Sequence, residues 1–210
     1  MHPAEQDAGA RLAMITLAER LFAEQGTDAV SMRQVAIGAG QRNNSAVTYH
    51  FGSRAGLVQA ILDHRSGPID GRRCELIDEL EASARPVAVN AVVRIFVQPL
   101  VEALDGQPGW YLRFLADVTV DPETGDAQQP HQPPGVAWIN RNLGALLSDL
   151  PRDVRRRRMR WMVLIALRVL ADHERIAAAP GASRPTATAI TPDLVDTIAA
   201  LLTAPATDDA

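Results

Sequence analysis

The chain has 210 residues, 47% of them hydrophobic, and a formal net charge of -4, which supplies a buried core and excludes a chain disordered throughout. An acidic balance gives no global mark of nucleic-acid binding, so any basic surface must be local. The single cysteine, Cys74, excludes an intramolecular disulfide and a cysteine-rich zinc site. All 21 basic residues are arginine. The longest apolar stretch, W-M-V-L-I-A-L, stops at Arg168, well short of a membrane span, and the first ten residues, MHPAEQDAGA, have no apolar signal core. These features lead to the expectation of a cytoplasmic protein with no membrane association.

Taken in chain order, Leu12, Ile15, Ala18, Leu21 and Phe22 recur at helical spacing before Gly26, which predicts a first helix over about 10–25. Ser31-Met32-Arg33-Gln34 has the form of a capping box, so a short second helix begins near Met32, turns Val35, Ala36 and Ala39 inward and stops at Gly40. Asn43 or Asn44 can cap a third short helix that runs to about His50, and Gly52-Ser53 separates it from a fourth beginning at Arg54. Residues 54–83 then read as one long helix or a pair, with Gly67-Pro68 forcing a kink or break. Further helices suit 86–105, 108–118, 136–149, 152–176 and 191–204, separated by Pro- and Gly-rich stretches at 119–135 and 180–189 that read as loops. No stretch alternates with period two over strand length. The fold class is therefore all-α, with a domain over 1–65 and a larger helical domain over 66–210.

Two short helices joined by a glycine-containing turn make a helix-turn-helix candidate. Residues 43–54, N-N-S-A-V-T-Y-H-F-G-S-R, crowd hydrogen-bonding side chains onto the second of these helices, an arrangement that a buried helix would not carry. At the start of a recognition helix, Arg42, Asn43, Asn44 and Ser45 are placed near base edges, where Asn pairs with adenine and Arg with guanine. Thr48, Tyr49 and His50 follow within reach of phosphate oxygens, as do Arg33 from the preceding helix and Arg54 at the start of the fourth. Residues 31–65 hold Arg33, Arg42, Arg54 and Arg65 against Asp63 alone, a net of +3 in an acidic protein.

Over residues 10–65 the sequence resembles the tetracycline-repressor (TetR) family of bacterial transcriptional regulators. The resemblance is carried by Ile15, Ala18, Leu21, Phe22 and Gly26, by Val35-Ala36 and Ala39-Gly40, and by Tyr49-His50-Phe51-Gly52-Ser53-Arg54 with Leu57. It departs in three places. The stretch from Gln41 to Thr48 is one residue longer than the family's usual seven, Thr48 stands where a phosphate-binding Tyr is common, and Arg54 replaces the usual Lys. The resemblance implies a homodimer whose N-terminal domains bind a double-stranded DNA operator and whose C-terminal domains dimerise and take a small-molecule effector.

Two sets of residues in the larger domain fit that implication. Phe96, Trp110, Phe114, Trp138, Trp161 and Met162 are large apolar or aromatic side chains suited either to an effector pocket or to ordinary core. Leu194, Val195, Ile198, Leu201 and Leu202 form a stripe on the last helix, suited to a dimer interface or to packing within one subunit. The run Arg155–Arg158 with Arg160 reads as a solvated or salt-bridged face. Catalysis finds no support, since Ser45 lacks the glycines of a nucleophile elbow and there is no phosphate-binding glycine loop. The five histidines show no paired metal-ligand spacing, so no metal or cofactor is implied. The alternative is a helical ligand- or partner-binding protein without DNA-binding activity.

Overall fold

The computed structural model describes residues 3–41, 43, 45–104, 109–120, 132–178 and 186–206. All the regular structure among them is helical: α1 (Pro3–Gln25), α2 (Met32–Gly38), α3 (Ala46–Phe51), α4 (Arg54–Ala82), α5 (Val89–Glu102), α6 (Tyr111–Val120), α7 (Pro134–Leu146), α8 (Arg152–Ala177) and α9 (Ala187–Thr203). The all-α class is as expected. The chain divides into two compact units, Met1–Gly67 with Trp110–Ala127, and Pro68–Gly109 with Gln128–Ala210. The first therefore includes α6, which lies well beyond residue 65.

In the first unit α1 packs against α2 and α6, and α2 against α3. Met14, Ile15, Ala18 and Phe22 form the buried stripe of α1, and Phe22 stacks on Phe114 of α6 with ring centroids 6.0 Å apart. One charge is buried in this core. Glu19 is 1% exposed and accepts two hydrogen bonds of 2.8 Å from the Arg65 guanidinium, which also lies 5.9 Å from the Tyr111 ring centre. The forked, two-bond geometry offsets the cost of dehydrating the carboxylate.

In the second unit α9 packs on α5 and α8, and α5 also packs on α7. Arginines build much of its framework. Arg158 is buried and donates to the carbonyls of Leu202 at 3.1 Å, Pro205 at 3.0 Å and Ala204, placing a cation on the negative end of α9. Asp70 of α4, also buried, accepts a 3.0 Å bond from the Gly135 amide in the first turn of α7. A Cβ at Gly135 would lie 2.7 Å from the Arg73 Cβ, so the close approach of the two helices requires glycine there. Arg72 bridges α4 to Glu102 of α5 at 2.9 Å. Burial alone would raise the Glu102 carboxyl, but hydrogen bonds from Arg72 and Gln98 hold it below the usual range.

Three elements differ from the sequence-based expectation. α1 begins at Pro3, about two turns early. α4 runs through Pro68 without a break; Pro68 and His64 are both exposed, so water can satisfy the carbonyl that proline leaves without a donor. α9 begins at Ala187, capped by the Thr186 hydroxyl, which accepts from the Ala189 amide at 3.2 Å, and Pro192 lies inside it. The expected loops fall largely in 121–131 and 179–185, outside the described residues.

The Arg158 cap yields a test. Replacing Arg158 with Ala strands three carbonyls and should lower stability by about 2 kcal/mol. Arg156→Ala, at an exposed position of the same run, should leave the urea midpoint unchanged. Equal midpoints for the two variants would contradict the cap.

Candidate nucleic-acid interface

α2 begins where the sequence places it. Ser31 Oγ accepts from the Gln34 amide at 3.2 Å while Gln34 Oε1 accepts from the Ser31 amide at 2.7 Å. Val35 and Ala36 are buried, leaving Arg33, Gln34 and Ile37 exposed. The helix closes by two bonds, Gly40 N–H to Ile37 at 3.0 Å and Gln41 N–H to Ala36 at 2.9 Å, the paired closure of a Schellman motif. Gly40 takes φ +72°, which a side chain would strain.

Asn43 does not cap the third helix directly; its Oδ1 accepts from the Ser45 amide at 2.9 Å while its carbonyl accepts from Ala46 at 3.0 Å. This Asx turn uses up the extra residue of the connection and delays the start of α3 to Ala46. α3 has six residues. Val47 is wholly buried and anchors it, whereas Ser45, Thr48 and Tyr49 face solvent, Tyr49 at 81% exposure. Gly52 ends the helix at φ +72°, and the Ser53 hydroxyl caps α4 by accepting from the Gly56 amide at 3.1 Å.

The expected contact residues thus fall into three groups. Arg33, Asn43, Ser45, Thr48 and Tyr49 are exposed on α2, the turn and α3. Arg42 and Asn44 lie outside the described residues. His50 and Arg54 are turned inward. The His50 side chain is 10% exposed, with Nε2 3.6 Å from Asp7 Oδ1, and the Arg54 guanidinium donates to the Thr27 carbonyl. Arg54 thereby ties the start of α4 to the loop after α1, a role its sequence position as a helix-start cation does not reveal. If that tie carries the structure, Arg54→Ala should cost about 1.5 kcal/mol of stability, whereas Arg33→Ala should cost none; thermal melts that rank the two alike would remove the tie from the account.

The two sets expected in the larger domain are redistributed. Leu194, Val195, Ile198 and Leu202 are 6, 1, 0 and 0% exposed within the single chain, on the helix that packs on α5 and α8. Four of the five residues of the apolar stripe are thus covered within the single chain, and Leu201 is half-buried. Of the aromatic set, Phe96, Trp138 and Met162 are buried in the second unit. Trp110 and Phe114 belong to the first unit, Phe114 as core and Trp110 with the Arg20 and Arg113 guanidiniums 5.5 and 4.3 Å from its ring centre. Trp161 is 43% exposed. The Arg155–Arg158 run is used structurally: Arg155 donates to Leu147 at 3.5 Å, Arg157 pairs with Asp153 at 3.7 Å and lies over Trp161, and Arg158 caps α9. Among the described residues, no group of three or more His, Cys, Asp or Glu is arranged to hold a metal ion, and no helix is long and apolar enough to cross a membrane.

Comparison with known proteins agrees with this layout. Residues 14–61 match the family described as bacterial regulatory proteins, tetR family, and residues 94–200 match the tetracyclin repressor-like C-terminal domain. No curated protein matches the chain. Among solved structures, a TetR-family regulator from Streptomyces coelicolor A3 is 21% identical, with 96% of this chain and 98% of that one covered and a TM-score of 0.46. With an N-terminal helix-turn-helix and a C-terminal helical region both matched, the chain belongs to the TetR family, whose members are DNA-binding transcription regulators rather than enzymes.

Proposed function

We propose that the protein is a homodimeric repressor that occludes a promoter by binding a pseudo-palindromic operator and leaves it when a small, mostly apolar effector occupies its second unit. The observation that carries the DNA-binding part is the solvent-facing run of Asn43, Ser45, Thr48 and Tyr49 with Arg33 on the preceding helix. Base-edge reading belongs to the turn and the first turn of α3, and phosphate contact to Arg33, Thr48 and Tyr49. A two-fold dimer presents two such helices to half-sites about 34 to 36 Å apart, or a multiple of that spacing. The apolar surface left on α8, Trp161 at 43% and Val169 at 39% exposure, supports a second copy as the group that covers it.

The effector part rests on Phe96, Trp138 and Met162 together with a buried charge pair. Arg73 and Asp70 are 7 and 6% exposed and 3.5 Å apart, and the Arg73 guanidinium lies 5.5 Å from the Phe96 ring centre. Apolar walls with one polar anchor are the usual make-up of a small-molecule site. Such a ligand releases DNA only through different affinities for the bound and free conformations, and operator must weaken its binding by the same factor.

The DNA reading is tested by footprinting and salt titration. A two-fold symmetric footprint is expected, with affinity falling steeply as salt rises. Arg33→Ala should weaken all duplexes alike and reduce the log–log salt slope by about one, while Asn43→Ala or Ser45→Ala should change which duplex is preferred. An asymmetric footprint from a single subunit, or uniform losses from both kinds of variant, would contradict the proposal.

A further inference from the structure

Near its start α1 makes two contacts with α3 that the DNA contact set leaves unexplained. Asp7 and Arg11, one turn apart on α1, meet consecutive residues of α3. The Asp7 carboxylate is 3.6 Å from His50 Nε2, and the Arg11 guanidinium lies 5.2 Å from the Phe51 ring centre. His50 is enclosed, its side chain 10% exposed, so it is not presented to a phosphate. Its ring instead meets Tyr49 edge-on, with centroids 5.1 Å apart and planes at 81°. Tyr49 is 81% exposed, and its hydroxyl makes no hydrogen bond among the described residues.

A Tyr ring held only by an exposed six-residue helix would sample several rotamers, and fixing one of them on binding costs affinity. The contacts form a relay: carboxylate to imidazole, imidazole edge to phenol ring, phenol to the outside. We infer that Asp7 and His50 are positioning residues that preset Tyr49 for DNA, so that the N-terminal extension of α1 is part of the DNA-reading apparatus. The inference rests on the DNA-binding reading above and changes the role of His50 from a DNA contact to a support.

The relay is distinguished by the sign of one effect. Asp7 is a negative charge beside a helix that must approach phosphates, so by charge alone Asp7→Asn should tighten binding. If Asp7 acts through His50, the same change should loosen it. The probe is a duplex enriched from a random-sequence pool by the full-length chain, with affinities measured at one salt concentration alongside melting curves. Asp7→Asn is expected to weaken binding about three- to tenfold, the size of coupling usual between touching side chains, with no change in melting, and Asp7→Glu to restore it. His50→Gln should weaken binding likewise, and adding Asp7→Asn to it should cost nothing more. In a Tyr49→Ala background the Asp7→Asn penalty should vanish and binding should tighten slightly.

Unchanged or tighter binding by Asp7→Asn in the otherwise native chain would overturn the inference. So would a loss that persists in the Tyr49→Ala background, because the effect would then be one of folding. A wild-type chain that enriches no duplex would overturn the DNA-binding reading itself and this inference with it.

Discussion

A six-residue helix cannot hold itself. Fixing the first turn costs several dihedral angles for a single hydrogen bond, and isolated helices shorter than about 12 to 15 residues are marginal in water. α3, from Ala46 to Phe51, is half that length, yet it must present Thr48 and Tyr49 in one orientation. Its order is therefore borrowed. Val47 inserts into the core, the Asx turn at Asn43 sets its start, and Gly52 turns the chain at φ +72° so that α4 can begin at once. Arg54, Asp7 and Arg11 supply ties from outside. Under the proposed function, the DNA-reading surface depends on that support, and through it on the buried Glu19–Arg65 pair and the Phe22–Phe114 stack.

The second unit uses charge in the same structural way. With arginine supplying every basic residue, each cation brings a planar fork that can serve several acceptors or lie on a ring. Arg158 serves three carbonyls, Arg72 joins Glu75 and Glu102, and Arg73 lies between Asp70 and Phe96. A lysine at Arg158 would offer one point charge to three spread carbonyls. Several of the arginines are thus committed to the framework of an acidic protein.

What could be read from the sequence was local. The Ser31–Gln34 capping box and the stops at Gly26, Gly40 and Gly52 are written in residues a few positions apart, and each forms as its chemistry dictates. The early start of α1 was not legible, because residues 3–10 carry no apolar stripe and Asp7 meets its partner, His50 of α3, far along the chain. Pro68 signals a break by its own geometry, but solvent exposure removes the reason for one. The stripe from Leu194 to Leu202 shows that α9 buries one face without showing what covers it, since a partner subunit and the chain's own α5 and α8 are equivalent to a periodicity. The aromatic set is limited in the same way: size marks Phe114 and Trp138 alike for burial, while the unit in which each is buried is a property of the fold.

The dependence of α3 on its neighbours is tested most directly by native-state hydrogen exchange of the Tyr49 and Gly52 amides, which donate to Ser45 and Thr48 at 2.9 and 2.8 Å. If the helix has no stability of its own, both amides should open with the same free energy as the Leu57 amide at the start of α4, and all three should shift together as urea is added. Tyr49 and Gly52 amides that exchange at the rate of an unstructured peptide while Leu57 stays protected would contradict the account.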